Sequence, residues 1–124
     1  MRFIETKNAP EAVGPYSQAV DIRGHLYVSG QIPFVPETMT LVGESIEEQT
    51  KQSLKNIKAI VEKAGYEVEN IVKCQVFLKD MNEFGKMNKV YEEFFDGHKP
   101  ARCAVEVVRL PKDVKVEIDA ICVK

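Results

Sequence analysis

An α+β fold, with two helices packed on one face of a single mixed β-sheet, follows from three features of the sequence. Two segments, "SIEEQTKQSLKNIKAIVEKAG" and "NEFGKMNKVYEEFF", repeat apolar residues at helical spacing. Six others are short, rich in β-branched and aromatic residues, and bounded by Gly, Pro, Asn or Asp. No internal repeat, low-complexity stretch or linker separates them, so residues 1–124 read as one domain, long enough to build a core without disulfides or metals. The order β-β-β-α-β-α-β-β places both helices on one sheet.

The elements follow in turn. "RFIET" is a short edge strand, and "YSQAVDIRGHLYVSG" is two strands about the Arg23-Gly24 turn. "PFVPETMTLVG" is a loop or a short hairpin excursion, because Pro33 and Pro36 cannot sit in a central strand. Ser45 followed by Glu48 has the spacing of a capping box. The stripe Ile46, Thr50, Ser53, Leu54, Ile57, Ile60, Val61 and Ala64 then runs to Gly65, a residue suited to ending a helix. "NIVKCQVFLKD" is a strand. The second helix takes Asn82 as its cap and presents Phe84, Met87, Tyr91, Phe94 and Phe95, and "DGHKP" ends it.

The last quarter, "KPARCAVEVVRLPKDVKVEIDAICVK", reads as two strands joined by a turn. In the final strand Val116, Ile118, Ala120 and Cys122 alternate toward the helices, leaving Glu117, Asp119, Ile121 and Val123 on the other face. In the strand before it, Cys103, Val105 and Val107 are assigned to the core side and Arg102 and Ala104 to the opposite one. Both faces are then partly apolar, and an uncovered, partly apolar sheet face points to burial against another subunit.

Apolar residues make up 44% of the chain and the net charge is −2, with both signs interspersed. That is a globular composition without the basic stripe of a nucleic-acid binder. The N-terminus has no signal-peptide pattern and no apolar run approaches a membrane span of ~20 residues. Three cysteines without C-x-x-C spacing read as reduced thiols of a cytoplasmic protein, and the two histidines have no ligand partner at helical spacing, so no metal site is expected.

Several residues could carry chemistry. Arg102 either forms a surface or interface ion pair or holds a carboxylate through its planar fork. Glu117 is either solvated or an enclosed base that positions water. Tyr16, after Gly14-Pro15, packs at a turn or projects into a site. Ser29 ends a strand before Gly30, where backbone can approach a ligand. Asn88 stands at the edge of an apolar stripe, where a polar amide needs partners, either a neighbouring loop or a ligand. Cys103, with no base near it in sequence, is expected to be a buried, inert thiol.

Seven blocks spread over nearly the whole chain, "GPYSQAV", "LYVSGQIP", "QSLKNIKAIVEKAG", "IVKCQVFLKDM", "YEEFF", "PAR" and "VEVVRLPKDVKVEIDAI", resemble the RidA (YjgF) family of small homotrimeric imine deaminases. The resemblance implies a chorismate-mutase-like α+β fold, three chains packed about their sheets, and a pocket at each subunit interface. It implies hydrolysis of reactive 2-imino acids such as 2-iminobutanoate and 2-iminopropanoate to 2-keto acids and ammonium, without a cofactor. Arg102 stands at the family's carboxylate-binding arginine and Glu117 at its water-holding acid. Tyr16, Ser29, Gly30 and Asn88 match pocket positions. Cys103 stands one place before the family's frequent pocket cysteine, and Ala104 takes that place, where a backbone carbonyl is the main contribution. Two alternatives remain: a non-catalytic regulatory trimer that binds small carboxylates, and an endoribonuclease or translation inhibitor, as reported for some relatives.

Overall fold

A computed structural model describes residues 1–124. β1 (Arg2–Ile4), β2 (Ala19–Ile22) and β3 (His25–Gln31) form an antiparallel meander. Arg23 and Gly24 both take positive φ, 49° and 78°, the geometry of the tight turn between β2 and β3. A two-stranded excursion follows, β4 (Phe34–Val35) with β5 (Thr40–Leu41). Then come α1 (Ile46–Lys63), β6 (Ile71–Leu78), α2 (Phe84–Phe95), β7 (Ala101–Glu106) and β8 (Val116–Val123).

The main sheet has the order β1-β2-β3-β8-β6-β7. It is mixed: β8 is antiparallel to both β3 and β6, whereas β6 and β7 run parallel around α2. The final two strands are therefore not paired with each other, as a simple hairpin would have them. β6 lies between them, which makes β8 central and leaves β7 at the edge.

Both helices cover the same face. Every residue of the stripe from Ile46 to Val61 is buried, as are Val116, Ile118, Ala120 and Cys122 of β8 and Cys74, Val76 and Leu78 of β6. The apolar side chains among these meet in one core of 23 buried residues. Ser45 caps α1 by accepting from the Glu48 N–H at 3.1 Å, and its hydroxyl donates to the Glu48 carboxylate at 3.0 Å. Gly65, at φ 86°, closes α1 with Tyr66 N–H reaching back to the Val61 carbonyl. The entry to α2 differs from expectation. Asp80, not Asn82, is the capping side chain, accepting from the Asn82 N–H at 2.9 Å and starting a 3₁₀ turn that runs into α2. Because the 3₁₀ turn begins before α2, the capping position moves two residues earlier, and Asn82 supplies the N–H that is capped instead of the cap.

The β3–β8 ladder is interrupted once. Val28 pairs with Ala120 and Gln31 with Ile118, so β3 has one residue more than β8 over this interval. The surplus at Ser29-Gly30 is a β-bulge. It turns Gln31 inward, where strict alternation would have turned it out, and Gln31 is buried.

Asn56, fully buried on α1, ties the excursion to the core. Its amide donates to the Ile32 and Phe34 carbonyls at 3.3 and 2.9 Å, and its oxygen accepts from Gln52 at 2.8 Å. Asn56→Ala leaves these partners unsatisfied in the interior. The expected cost is about 2–4 kcal/mol, read as a lower denaturant midpoint at unchanged slope; an unchanged midpoint would show that β4 is not held by this side chain.

Candidate active site

Arg102 sits on the edge strand β7, one residue in from its start, with Cys74 of β6 as its neighbour in the ladder. Cys74 is a core residue, so Arg102 projects on the helix side. A charge on that side is tolerated because the strand is at the edge and the side chain's head reaches solvent. The guanidinium lies over two ring faces of α2, 4.8 Å from the Tyr91 centroid and 5.3 Å from that of Phe84. Its Nη1 donates to Asn88 Oδ1 at 2.6 Å, and no carboxylate pairs with it. A surface cleft of about 430 Å³ opens here between α2 and the start of β7, lined among others by Asn88, Tyr91, His98 and Arg102.

Ala104 shares the parity of Arg102 and packs against the core. Its backbone faces elsewhere. Val107 N–H donates to the Leu78 carbonyl of β6. With a period of two, Val105 and Cys103 also turn their backbone groups to β6, and Ala104 turns its carbonyl to the open edge.

Glu117 occupies the other face of the sheet, in register with Phe77 of β6. It is half-buried, and burial raises its pKa above the ordinary carboxylate range, with the charge of nearby Asp119 adding to the effect. Asp119 itself accepts from the Gln75 N–H at 3.0 Å. The Glu117 carboxylate lies against the bare Cα of Gly30, so closely that a Cβ on residue 30 would stand 2.5 Å from Oε2. Ser29 is beside it in the bulge, its hydroxyl donating to the Ser17 carbonyl at 2.6 Å. Tyr16, exposed, shares a cleft with Gly30, Ile32, Phe34 and Met39.

The residues singled out in the sequence thus fall into two groups. Arg102, Asn88 and the Ala104 carbonyl gather at the β7 edge; Tyr16, Ser29, Gly30 and Glu117 gather near the β3 bulge. Arg102 and Glu117 are two strands and about three residues apart, ~14 Å between Cα atoms at standard spacings, and they point to opposite faces. One chain does not bring them onto a common small ligand.

Residues 6–124 match the sequence model of the family described as endoribonuclease L-PSP. The chain is 54% identical over 126 residues to the 2-iminobutanoate/2-iminopropanoate deaminase of Salmonella typhimurium, covering 99% of this chain and 98% of that one. The chain belongs to the RidA (YjgF) family. Its fold is that of the solved members: the Escherichia coli YjgF gene product superposes with a TM-score of 0.96 at 51% identity, over 100% of this chain and 99% of the other. Escherichia coli TdcF, solved with bound serine, gives 0.96 at 47% identity, over 100% and 99%.

One expectation about this candidate site is corrected. Cys103 is not a core thiol. It is exposed and shares the uncovered face with Gln75, while Arg102 and Ala104 take the helix side. The parity was misassigned by one residue because the apolar side chains of Val105 and Val107 suggested a core face, whereas the rings of α2 attract the arginine. The buried thiols are Cys74 and Cys122, which burial pushes up to about 11 and about 12. No group of three or more His, Cys, Asp or Glu side chains is placed to hold a metal. Two further participants, Phe84 and Tyr91, were read only as core. Their signal was the spacing 84, 88, 91, which puts them on one helix face with Asn88.

The raised pKa of Glu117 has a consequence for stability. A carboxyl whose pKa is raised by folding favours the fold below its ordinary value, about 4.3, and that contribution is lost as pH rises through the folded value. Glu117→Gln removes the penalty of a buried charge. The variant is expected to match the parent in melting temperature near pH 4, to gain on it as pH rises through the folded pKa of Glu117, and to keep a level advantage above it. A constant difference across that range would contradict the burial account.

Proposed function

We propose that the protein is a homotrimeric hydrolase that deaminates 2-imino acids, 2-iminobutanoate and 2-iminopropanoate among them, to 2-keto acids and ammonium. The observation that carries this reading is the unpaired Arg102 fork. An arginine kept free of carboxylate partners offers two parallel N–H groups to a substrate carboxylate. The named deaminase relative supports the reaction class.

Docking the carboxylate on Arg102 places the neighbouring imine carbon a bond away. A protonated imine carbon is electrophilic, so hydrolysis needs chiefly a water held near it, at about 3–3.5 Å. Glu117 and the Ala104 carbonyl hold that water, and Glu117 accepts its proton as the oxygen adds to carbon. Burial raises its pKa, which makes it a better proton acceptor than an ordinary carboxylate. The tetrahedral carbinolamine takes the proton from Glu117 onto nitrogen. The C–N bond then breaks, the hydroxyl proton is released, and the 2-keto acid and ammonia leave. Asn88 orients the arginine, Ser29 and Gly30 shape the floor under Glu117, and Tyr16 closes the pocket.

The ~14 Å separation within a chain requires the two groups to meet between subunits. Unlike halves that complement one another make a head-to-tail interface, which forms a closed ring when the rotation between neighbours is a third of a turn. The uncovered sheet face, with Val72, Val105 and Val123 exposed, supports the same assembly. The net charge of −2 weighs against the RNA cleavage in the family model's name.

The test of function is a threonine dehydratase reaction followed with and without the protein. Faster 2-oxobutanoate and ammonium formation is expected, and no acceleration by a folded trimer refutes the reading. The shared site has its own test. Arg102→Lys and Glu117→Gln trimers, each inactive or nearly so, are unfolded together and refolded as a mixture. Random assembly gives intact sites at roughly a quarter of interfaces, so activity should return to about that fraction. No recovery would place both residues in one chain's site. Gly30→Ala is expected to keep the fold, because the atom it meets is the end of a flexible side chain, yet to cut turnover roughly tenfold to a hundredfold by displacing the Glu117 carboxylate. Full activity would show that Gly30 does not set that position.

A further inference from the structure

We propose that Tyr91 and Phe84 are positioning residues for Arg102, and that with Asn88 they form a charge-neutral mount that holds the guanidinium in one orientation for an incoming carboxylate. The proposal rests on the carboxylate-docking reading above.

An exposed arginine on an edge strand ordinarily samples many rotamers. When a protein fixes one, the usual partner is Asp or Glu, which also cancels the charge. Here the partners are two ring faces and a neutral amide. Each attracts the cation without neutralising it: the rings through their negative faces, the amide through its oxygen. Phe84, Asn88 and Tyr91 are spaced i, i+4 and i+7, so one face of α2 supplies all three. The rings lie over the guanidinium and Asn88 takes Nη1, while Nε and Nη2 have no partner. That free edge carries two parallel donors with the spacing of a carboxylate.

The mount is rigid where it must be. Tyr91 is 7% exposed and packs on Phe95 at 4.7 Å between centroids. Its hydroxyl is buried beside the Cys74 thiol and has no hydrogen-bond partner of good geometry. The ring, not the hydroxyl, therefore does the positioning. A tyrosine acting through its oxygen would turn that oxygen toward the cleft.

The experiment uses the stable keto acid 2-oxobutanoate as a binding probe by calorimetry and 2-iminobutanoate for steady-state kinetics. Tyr91→Leu and Phe84→Leu remove one ring each and should weaken 2-oxobutanoate binding and raise KM by about tenfold, with kcat changed by no more than about threefold. Tyr91→Phe keeps the ring and should restore binding and KM to the parent values. Should Tyr91→Leu fail to assemble, Phe84→Leu, at the half-buried rim, carries the test alone. A folded Phe84→Leu trimer with parent affinity overturns the proposal, and so does a Tyr91→Phe variant as impaired as Tyr91→Leu, since the hydroxyl would then be the working group. If kcat falls and KM does not, the rings serve the chemical step and the mount is wrong. If the parent binds 2-oxobutanoate in a ring-dependent way but turns over no imino acid, the mount stands and the deaminase reading falls.

Discussion

The arrangement of this molecule depends on a single geometric rule, the alternation of side chains across a strand. Both helices lie on one face of the sheet, so every strand residue belongs either to the core side or to the uncovered side. β8 is central and obeys the rule along its whole length: Val116, Ile118, Ala120 and Cys122 go in, and Glu117 and Asp119 go out. β7, at the edge, turns Arg102 to the helix side because its head can leave the core where the sheet stops. The division of the candidate site into two halves follows directly, and so does the expectation that one subunit's edge meets another's open face.

The two halves are held by opposite electrostatic means. Glu117 is partly withdrawn from water beside a second acid, which raises its pKa. Arg102 stays at the surface among groups that carry no net charge. Neither residue is compensated within its own chain. Each is thus a residue whose partner of opposite charge would have to arrive from outside, as substrate, as a neighbouring subunit, or as both. Local stability is given up at Glu117, where burial disfavours the charged form, a pattern common where a fold carries a site.

Much of this was legible in the sequence because helical and strand periodicities act locally. The stripe of α1, its Ser45 cap and Gly65 stop, the Arg23-Gly24 turn and the inward face of β8 needed no long-range knowledge. The rest depended on contacts that no local pattern encodes. The parity of β7 was lost because Val105 and Val107 look like core residues, and what decided the matter was a pair of rings on another element. The insertion of β6 between β7 and β8 is a property of sheet order, which the spacing of strands does not reveal. The capping role of Asp80 over Asn82 was a choice between two good caps two residues apart. Arg102, Glu117 and Asn88 were picked out as residue types out of place in their patterns, and Gly30 as a place where backbone can approach a ligand; what the sequence withheld was that they do not converge within one chain.

The bulge at Ser29-Gly30 has a consequence for how such a scaffold can change over generations. Val28 and Gln31 both face inward, and their partners Ala120 and Ile118 are only two residues apart. Losing a single codon at position 29 or 30 would make this ladder regular, with every flanking side chain still on its present face. Elsewhere in the strand the same loss would turn half the residues inside out. Within β3 the bulge is the one place where the length can shrink by one without disturbing the core, and it lies beneath Glu117. Descendants of this scaffold can shed the floor of the site while keeping the architecture intact, so kinship in fold and kinship in chemistry can part company at a single residue.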